Sequence, residues 1–359
     1  MTGSGKPTNI LEAAMSSTKP AANTISADQI VDLILSQSPP DSRVELSKVR
    51  GSGEKTGASS GIILFTAEVN GQVGDYVLRY APDTETRIFA AYNIGGQARL
   101  QHKLATLTDL PVPDARWSDP DGAILGLPGY IMDAVEGVVA HGSAFTGGLV
   151  AEATPEQREQ IFDEMVRMQG RIHRVDWRSL DLEGDVCSGS GATPVERFVD
   201  WFWQTTRFCP ESAMPRLEAA RERILAMQPD YAPEDYVLVH GDTQVGNYMF
   251  RDYRMVAILD WELSGIATPS YDVGIFCNML SVFRSMATPE VAAIIPSQED
   301  WVARYERING VRLNDFDYMF KVASLNSVIV SLSMNRGMPE EMKQYHLDLM
   351  EPTWSVIER

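Results

Sequence analysis

The run Val239-His240-Gly241-Asp242-Thr243-Gln244-Val245-Gly246-Asn247 lies between two short β-rich stretches, Tyr236-Val237-Leu238-Val239 and Tyr248-Met249-Phe250. Strand-forming residues on either side make the polar segment a loop anchored at both ends. Gly241 and Gly246 allow the backbone to turn tightly enough to aim Asp242 and Asn247 inward. A third β-like stretch, Met255-Val256-Ala257-Ile258-Leu259, runs directly into Asp260-Trp261-Glu262. These strands interrupt a half of the chain that otherwise reads as helical, with periodic apolar residues over Pro155 to His173, Val195 to Arg207 and Ser212 to Met227.

The other half reads differently. Ser26 is a good N-cap, and Ile30, Leu33 and Ile34 follow at helical spacing, which predicts a first helix. Val44 to Val49, Ile62 to Val69 and Tyr76 to Arg79 read as an antiparallel meander. Residues near Ile88 to Leu107 suit a helix, Pro111-Val112-Pro113 breaks it, and Ile124-Leu125 and Tyr130-Ile131-Met132 return to short strands. Asp133 to Gly137 reads as a connector. The expectation is therefore an α+β chain of two lobes: a nucleotide-binding N-terminal lobe over 23–135 built on a small antiparallel sheet, and a mainly helical lobe over 136–359 that carries the Asp242 loop and the acceptor site. Met1 to about Ala22 has few large apolar residues and is expected to be a disordered tail.

At 359 residues the chain can bury a large core. Its 49 acidic against 31 basic residues give a net charge of −18, which argues against a nucleic-acid partner or an anionic membrane surface. Local cations, backbone amides and a divalent metal can still offset phosphate charge within a cleft. The three cysteines are far apart and without Cys-x-x-Cys spacing, so buried free thiols are expected rather than a disulfide framework or zinc site. No apolar run reaches the roughly 18 residues a membrane-spanning helix needs. A cytoplasmic monomer or homodimer is the expectation.

Asp242 stands five positions before Asn247, the spacing of a kinase catalytic loop. In that chemistry the Asp carboxylate accepts the proton of an attacking hydroxyl, and the Asn carbonyl reaches a magnesium ion bridging nucleotide phosphates. Asp260, at the end of an apolar strand thirteen residues further on, stands where a second magnesium ligand belongs. The expected cofactors are ATP and Mg2+. Gly51 to Gly61 forms a small-residue loop that fits neither a Walker A nor Gly-x-Gly-x-x-Gly, but Ser59 and Ser60 in it are candidate phosphate neighbours. His240 is expected to be a structural hydrogen-bonding residue, Trp261 packing, and Glu262 either a metal contact or a brace for its loop. Asp272 is expected to bond free amides at the start of a helix. Met319, Met334, Met338, Met342 and Met350 are ordinary core or the lining of an adaptable pocket.

From about residue 40 to 355 the chain resembles the aminoglycoside phosphotransferase superfamily, with its His-Gly-Asp-x4-Asn loop and following Asp-Trp-Glu triplet. Within it, Val77-Leu78-Arg79, Leu110-Pro111-Val112-Pro113, Leu125-Gly126-Leu127-Pro128 and Met132-Asp133-Ala134-Val135-Glu136-Gly137 resemble the branch of kinase domains fused to some acyl-CoA dehydrogenases. The resemblance implies a protein-kinase-like fold, an ATP cleft between lobes, and Arg79 in place of the lysine that holds the α- and β-phosphates. It also implies an acidic partner for that cation on the next helix, where this sequence has Gln97.

The leading expectation is an ATP- and magnesium-dependent phosphotransferase acting on a hydroxyl of a small molecule. A hydroxylated metabolite or hydroxyacyl-CoA is favoured as acceptor, with an aminoglycoside-type antibiotic also open. The alternative, motivated by Gln97, is a nucleotide-binding regulatory protein without turnover. A protein kinase ranks last, because no Ala-Pro-Glu element follows Asp260.

Overall fold

The computed structural model describes residues 25–51, 60–82, 87–139 and 145–359. The expected tail lies outside them, as do Ser59 and most of the small-residue loop. The expected α+β arrangement is present: an antiparallel sheet with few helices, followed by a mainly helical part.

Helix α1 (Ala27–Ser36) begins at Ser26, which forms a reciprocal capping box with Gln29. Ile30, Leu33 and Ile34 occupy its buried face and share a core with Phe65, Leu78 and Ile131. The sheet it covers contains β1 (Val44–Gly51), β2 (Gly61–Val69), β3 (Gln72–Tyr80), β4 (Ala115–Asp119) and β5 (Gly129–Asp133). Their order is β1-β2-β3-β5-β4, with antiparallel pairing throughout. Arg79 on β3 lies opposite Ile62 on β2 and Tyr130 on β5, so it occupies the middle strand of the five.

Two local expectations are corrected. Ile124-Leu125 is a turn, because the buried Asp119 carboxylate accepts the amides of Ala123, Ile124 and Leu125 and curls them back. Helix α2 (Ile94–Leu107) starts at the Asn93 cap, later than the expected Ile88. Residues 88–90 instead run to the helical half, where Thr205 accepts the Ala90 amide and Ser333 donates to the Ile88 carbonyl. With those backbone groups satisfied from elsewhere, no helical turn is needed, and Phe89 is carried into the core beside Trp201.

The helical half includes α3 (Pro155–His173), α4 (Pro194–Trp203), α5 (Met214–Ala226), α6 (Ser270–Met286), α7 (Gln298–Asn309) and α8 (Phe316–Met334). Thr154, Thr193 and Ser297 each open their helix with a capping box. Helix α8 is apolar nearly all round and correspondingly buried, with Met319 and Val322 fully enclosed. Met350 is core as well.

Five further short strands carry the loops of interest. Strands β6 (Val138–Val139), β8 (Tyr248–Arg251) and β9 (Arg254–Ile258) form one small sheet, and β7 (Val237–Val239) pairs with β10 (Gly265–Ala267) in another. The three strands expected from the sequence thus divide between two sheets, completed by two strands too short to signal themselves. Among the described residues, no helix is long and apolar enough to cross a membrane. Cys187, Cys209 and Cys277 are free thiols; Cys187 and Cys277 are buried as expected, and Cys209 is half-buried.

Candidate active site

The chain leaves β7 through His240 and Gly241. Gly241 has a φ of +83°, and a Cβ there would come within 1.9 Å of the Leu263 carbonyl oxygen, so only glycine fits. Asp272, fully buried in the first turn of α6, fixes this bend: its Oδ2 accepts the His240 amide and its Oδ1 the Gly241 amide, each at 2.9 Å. Thr243 donates to the Asp272 carbonyl at 2.8 Å, and the Asp272 carboxylate also meets His173 Nε2 at 3.1 Å. Asp272 does bond backbone amides, but those of the loop 31 and 32 residues away rather than of its own helix.

His240 has the structural role expected of it. Nε2 lies 2.8 Å from the Leu259 carbonyl, which can only accept, so Nδ1 is left to receive the Asp242 amide at 3.3 Å. Its ring packs against the buried Trp261, centroids 4.7 Å apart.

Asp242 and Asn247 are brought into direct contact. Asn247 Nδ2 donates to Asp242 Oδ2 at 2.9 Å and to the Asp242 carbonyl at 2.8 Å, and Gln244 Nε2 donates to the same Oδ2 at 2.9 Å. Burial and the charge of Asp260 raise the Asp242 pKa, against the lowering effects of His240, Asn247 and Gln244. Gln244 gave no signal in the sequence.

Asp260 follows β9 with φ +64° and ψ +63°, a left-handed conformation that costs a non-glycine residue about 1–2 kcal/mol. This turn puts its Oδ1 2.7 Å from Arg79 Nη2. Glu262 Oε2 reaches the same Nη2, also at 2.7 Å. Arg79 is buried; burial alone would lower its pKa, and the charges of Asp260, Glu262 and the nearby Tyr130 outweigh that and raise it. Gln97 is 4% exposed in the first turn of α2, but its Oε1 has no hydrogen-bond partner and Arg79 Nε has none either. The structure therefore does not bring Gln97 onto Arg79; the acids come from the segment after β9. Ser60 lies half-buried just before β2, next to the Gly61–Tyr80 end of the β2–β3 ladder.

The donor set fits a hard divalent cation. Asn247 has its nitrogen committed to Asp242, so the amide oxygen is the atom it can offer a metal, and Asp260 supplies a carboxylate. Among the described residues, no cluster of three or more His, Cys, Asp or Glu could hold a metal by itself. Magnesium commonly takes one or two carboxylates and fills the remaining positions with water and phosphate oxygens.

A second brace keeps the two halves in register. The Asp185 side chain, 1% exposed, pairs with Arg99 and Lys103 of α2 at 2.7 Å each, while Asn93 donates to the Gly184 carbonyl. The same segment meets the Asp260 region, where the Cys187 amide donates to the Ser264 carbonyl and Cys187 Sγ to that of Glu262.

Residues 56–308, well over half of the chain, match the family model described as the phosphotransferase enzyme family, APH. The chain belongs to this family. Acyl-CoA dehydrogenase family member 11 of Pongo abelii is 27% identical over 244 residues, covering 66% of this chain but 30% of that protein. Acyl-CoA dehydrogenase family member 10 of Mus musculus is 28% identical, covering 64% of this chain and 21% of the relative. The chain thus spans less than a third of these relatives. A Ralstonia eutropha candidate aminoglycoside phosphotransferase superposes with a TM-score of 0.67 at 22% identity, covering 93% of this chain and 98% of the other. Aminoglycoside 2'-phosphotransferase-IIIa in its GDP complex gives 0.55 at 15% identity, with 91% and 97% covered. The chain shares the protein-kinase-like fold of these structural neighbours, and its phosphotransferase family fits a kinase-type transfer.

Proposed function

We propose that this phosphotransferase moves the γ-phosphoryl group of ATP, with magnesium, to a hydroxyl of a small molecule. The nucleotide is assigned to the lobe of residues 23–135 and the acceptor to that of residues 136–359. The reading rests on one observation: the Asp242 carboxylate is hydrogen-bonded to Asn247 in a loop clamped by Asp272 and lies within reach of the charge of Asp260, which in turn pairs with the buried cation Arg79.

Asp242 orients the acceptor hydroxyl and takes up its proton as the oxygen attacks. Its raised pKa makes it a stronger acceptor than an ordinary aspartate. Asn247 holds the carboxylate in place through Nδ2, and Arg79 attracts the α- and β-phosphates from β3. Bound through Asn247 and Asp260, magnesium would neutralise charge on the phosphate oxygens. Ser60, and Ser59 outside the described residues, are proposed to border the phosphates. Gln97 is proposed as part of the nucleotide site without pairing to Arg79.

Likeness to the acyl-CoA dehydrogenase relatives favours a hydroxylated metabolite or hydroxyacyl-CoA as acceptor. An aminoglycoside remains a second class, since structural neighbours are complexes with hygromycin B and kanamycin. The regulatory alternative was motivated by the missing acid at Gln97; Arg79 is nevertheless held by two carboxylates, which weakens that motive. The test is magnesium-dependent ADP formation against a panel of hydroxyacyl-CoAs, hydroxy acids and aminoglycosides. Acceptor-stimulated turnover is expected; nucleotide binding with no turnover on any acceptor favours the regulatory reading.

A further inference from the structure

We propose that Glu262 is the positioning counter-ion of Arg79, taking over from the segment after Asp260 the charge that α2 lacks at Gln97. The inference rests on the nucleotide reading of Arg79. A buried guanidinium requires a paired acid. Helix α2 presents only the Gln97 amide, whose buried Oε1 is orphaned, as is Arg79 Nε. Two carboxylates meet at one nitrogen instead, Asp260 and Glu262, each 2.7 Å from Nη2.

The two are not equivalent. The Asp260 side chain is 25% exposed and belongs to the donor set for a divalent cation; a carboxylate engaged with a metal neutralises Arg79 less. The Glu262 side chain is 8% exposed, and its own backbone carbonyl is held by Cys187 Sγ. Glu262 is therefore the acid that stays with Arg79 when Asp260 turns to a metal, and it keeps the guanidinium aimed where phosphate arrives.

The test is ADP affinity of the full chain by calorimetry, in EDTA and in magnesium, for the native protein, Glu262→Gln, and Glu262→Gln with Gln97→Glu. Loss of a buried partner charge predicts about tenfold or more weaker binding for Glu262→Gln in EDTA as well as in magnesium. The second substitution returns an acid to α2 and is expected to restore affinity to within about threefold, a rescue that a purely structural role would not give. Unchanged affinity of Glu262→Gln in EDTA, or loss of only the magnesium-dependent increment, would make Glu262 a bystander or a metal ligand and overturn the proposal. Failure of Gln97→Glu to rescue overturns it too. Should Glu262→Gln not fold, the double variant is expected to fold, and its failure counts against the proposal. Native protein that binds no nucleotide removes the nucleotide reading itself, whereas native binding that ignores Glu262→Gln removes this inference alone.

Discussion

The Asp242 carboxylate sits in a half-buried loop within reach of the Asp260 charge, and both circumstances raise its pKa. A native pKa above the unfolded value means that the folded state binds more protons between the two, so stability falls as pH rises through that window. Asp242→Asn removes that fall. Near neutral pH the variant is expected to be more stable than the native protein, with a higher Tm, while turnover drops by at least about a hundredfold. Melting curves across pH check the sign: the Tm gap closes as pH falls toward about 4, where the unfolded carboxyl also takes its proton. A Tm gap that widens on acidification would contradict it. Asp242, Asn247 and Asp260 were readable from the sequence because their relation is one of local spacing. The pairing of Arg79 with Glu262 spans 183 residues and depends on the register of β3, so no pattern along the chain announces it. The clamp at Asp272 is hidden in the same way: its acidic side chain is visible, its partners are not.

Helices α1 and α3 could be delimited from sequence because each begins on a capping box followed by an apolar stripe. Helix α2 could not, since the residues before Asn93 find their hydrogen bonds on Thr205 and Ser333 of the other half. Its position is then set by Asp185, whose carboxylate bridges Arg99 and Lys103 at i, i+4 on one face. Asp185→Ala is expected to loosen α2 by about 1–2 kcal/mol, seen as roughly 5- to 30-fold faster amide exchange over residues 94–107 with little change in α3. Exchange in α2 that matches the native protein would show that apolar packing alone positions the helix.

At the scale of the molecule, the change from strand to helix pattern along the sequence implied a small sheet with a helical body, and the candidate site is built from both. The strands Val138–Val139 and Gly265–Ala267 that complete the loop's support escape sequence reading because two or three residues carry no periodicity. The net charge of −18 repels an anionic nucleotide at long range, whereas Arg79 acts only at contact. Raising ionic strength from about 0.01 M to 0.15 M shortens the screening length from about 30 Å to 8 Å, so nucleotide association is expected to quicken with salt, the reverse of the usual steering effect. Stopped-flow association rates that fall with salt would mean that local cations dominate the approach. Transfer of labelled γ-phosphate from ATP to an acceptor hydroxyl, in native protein and in Asp242→Asn, is the measurement to make first. Magnesium-dependent labelling of the acceptor that is lost in the variant is the predicted result; labelling that survives Asp242→Asn undiminished would contradict the assignment of Asp242 as the base.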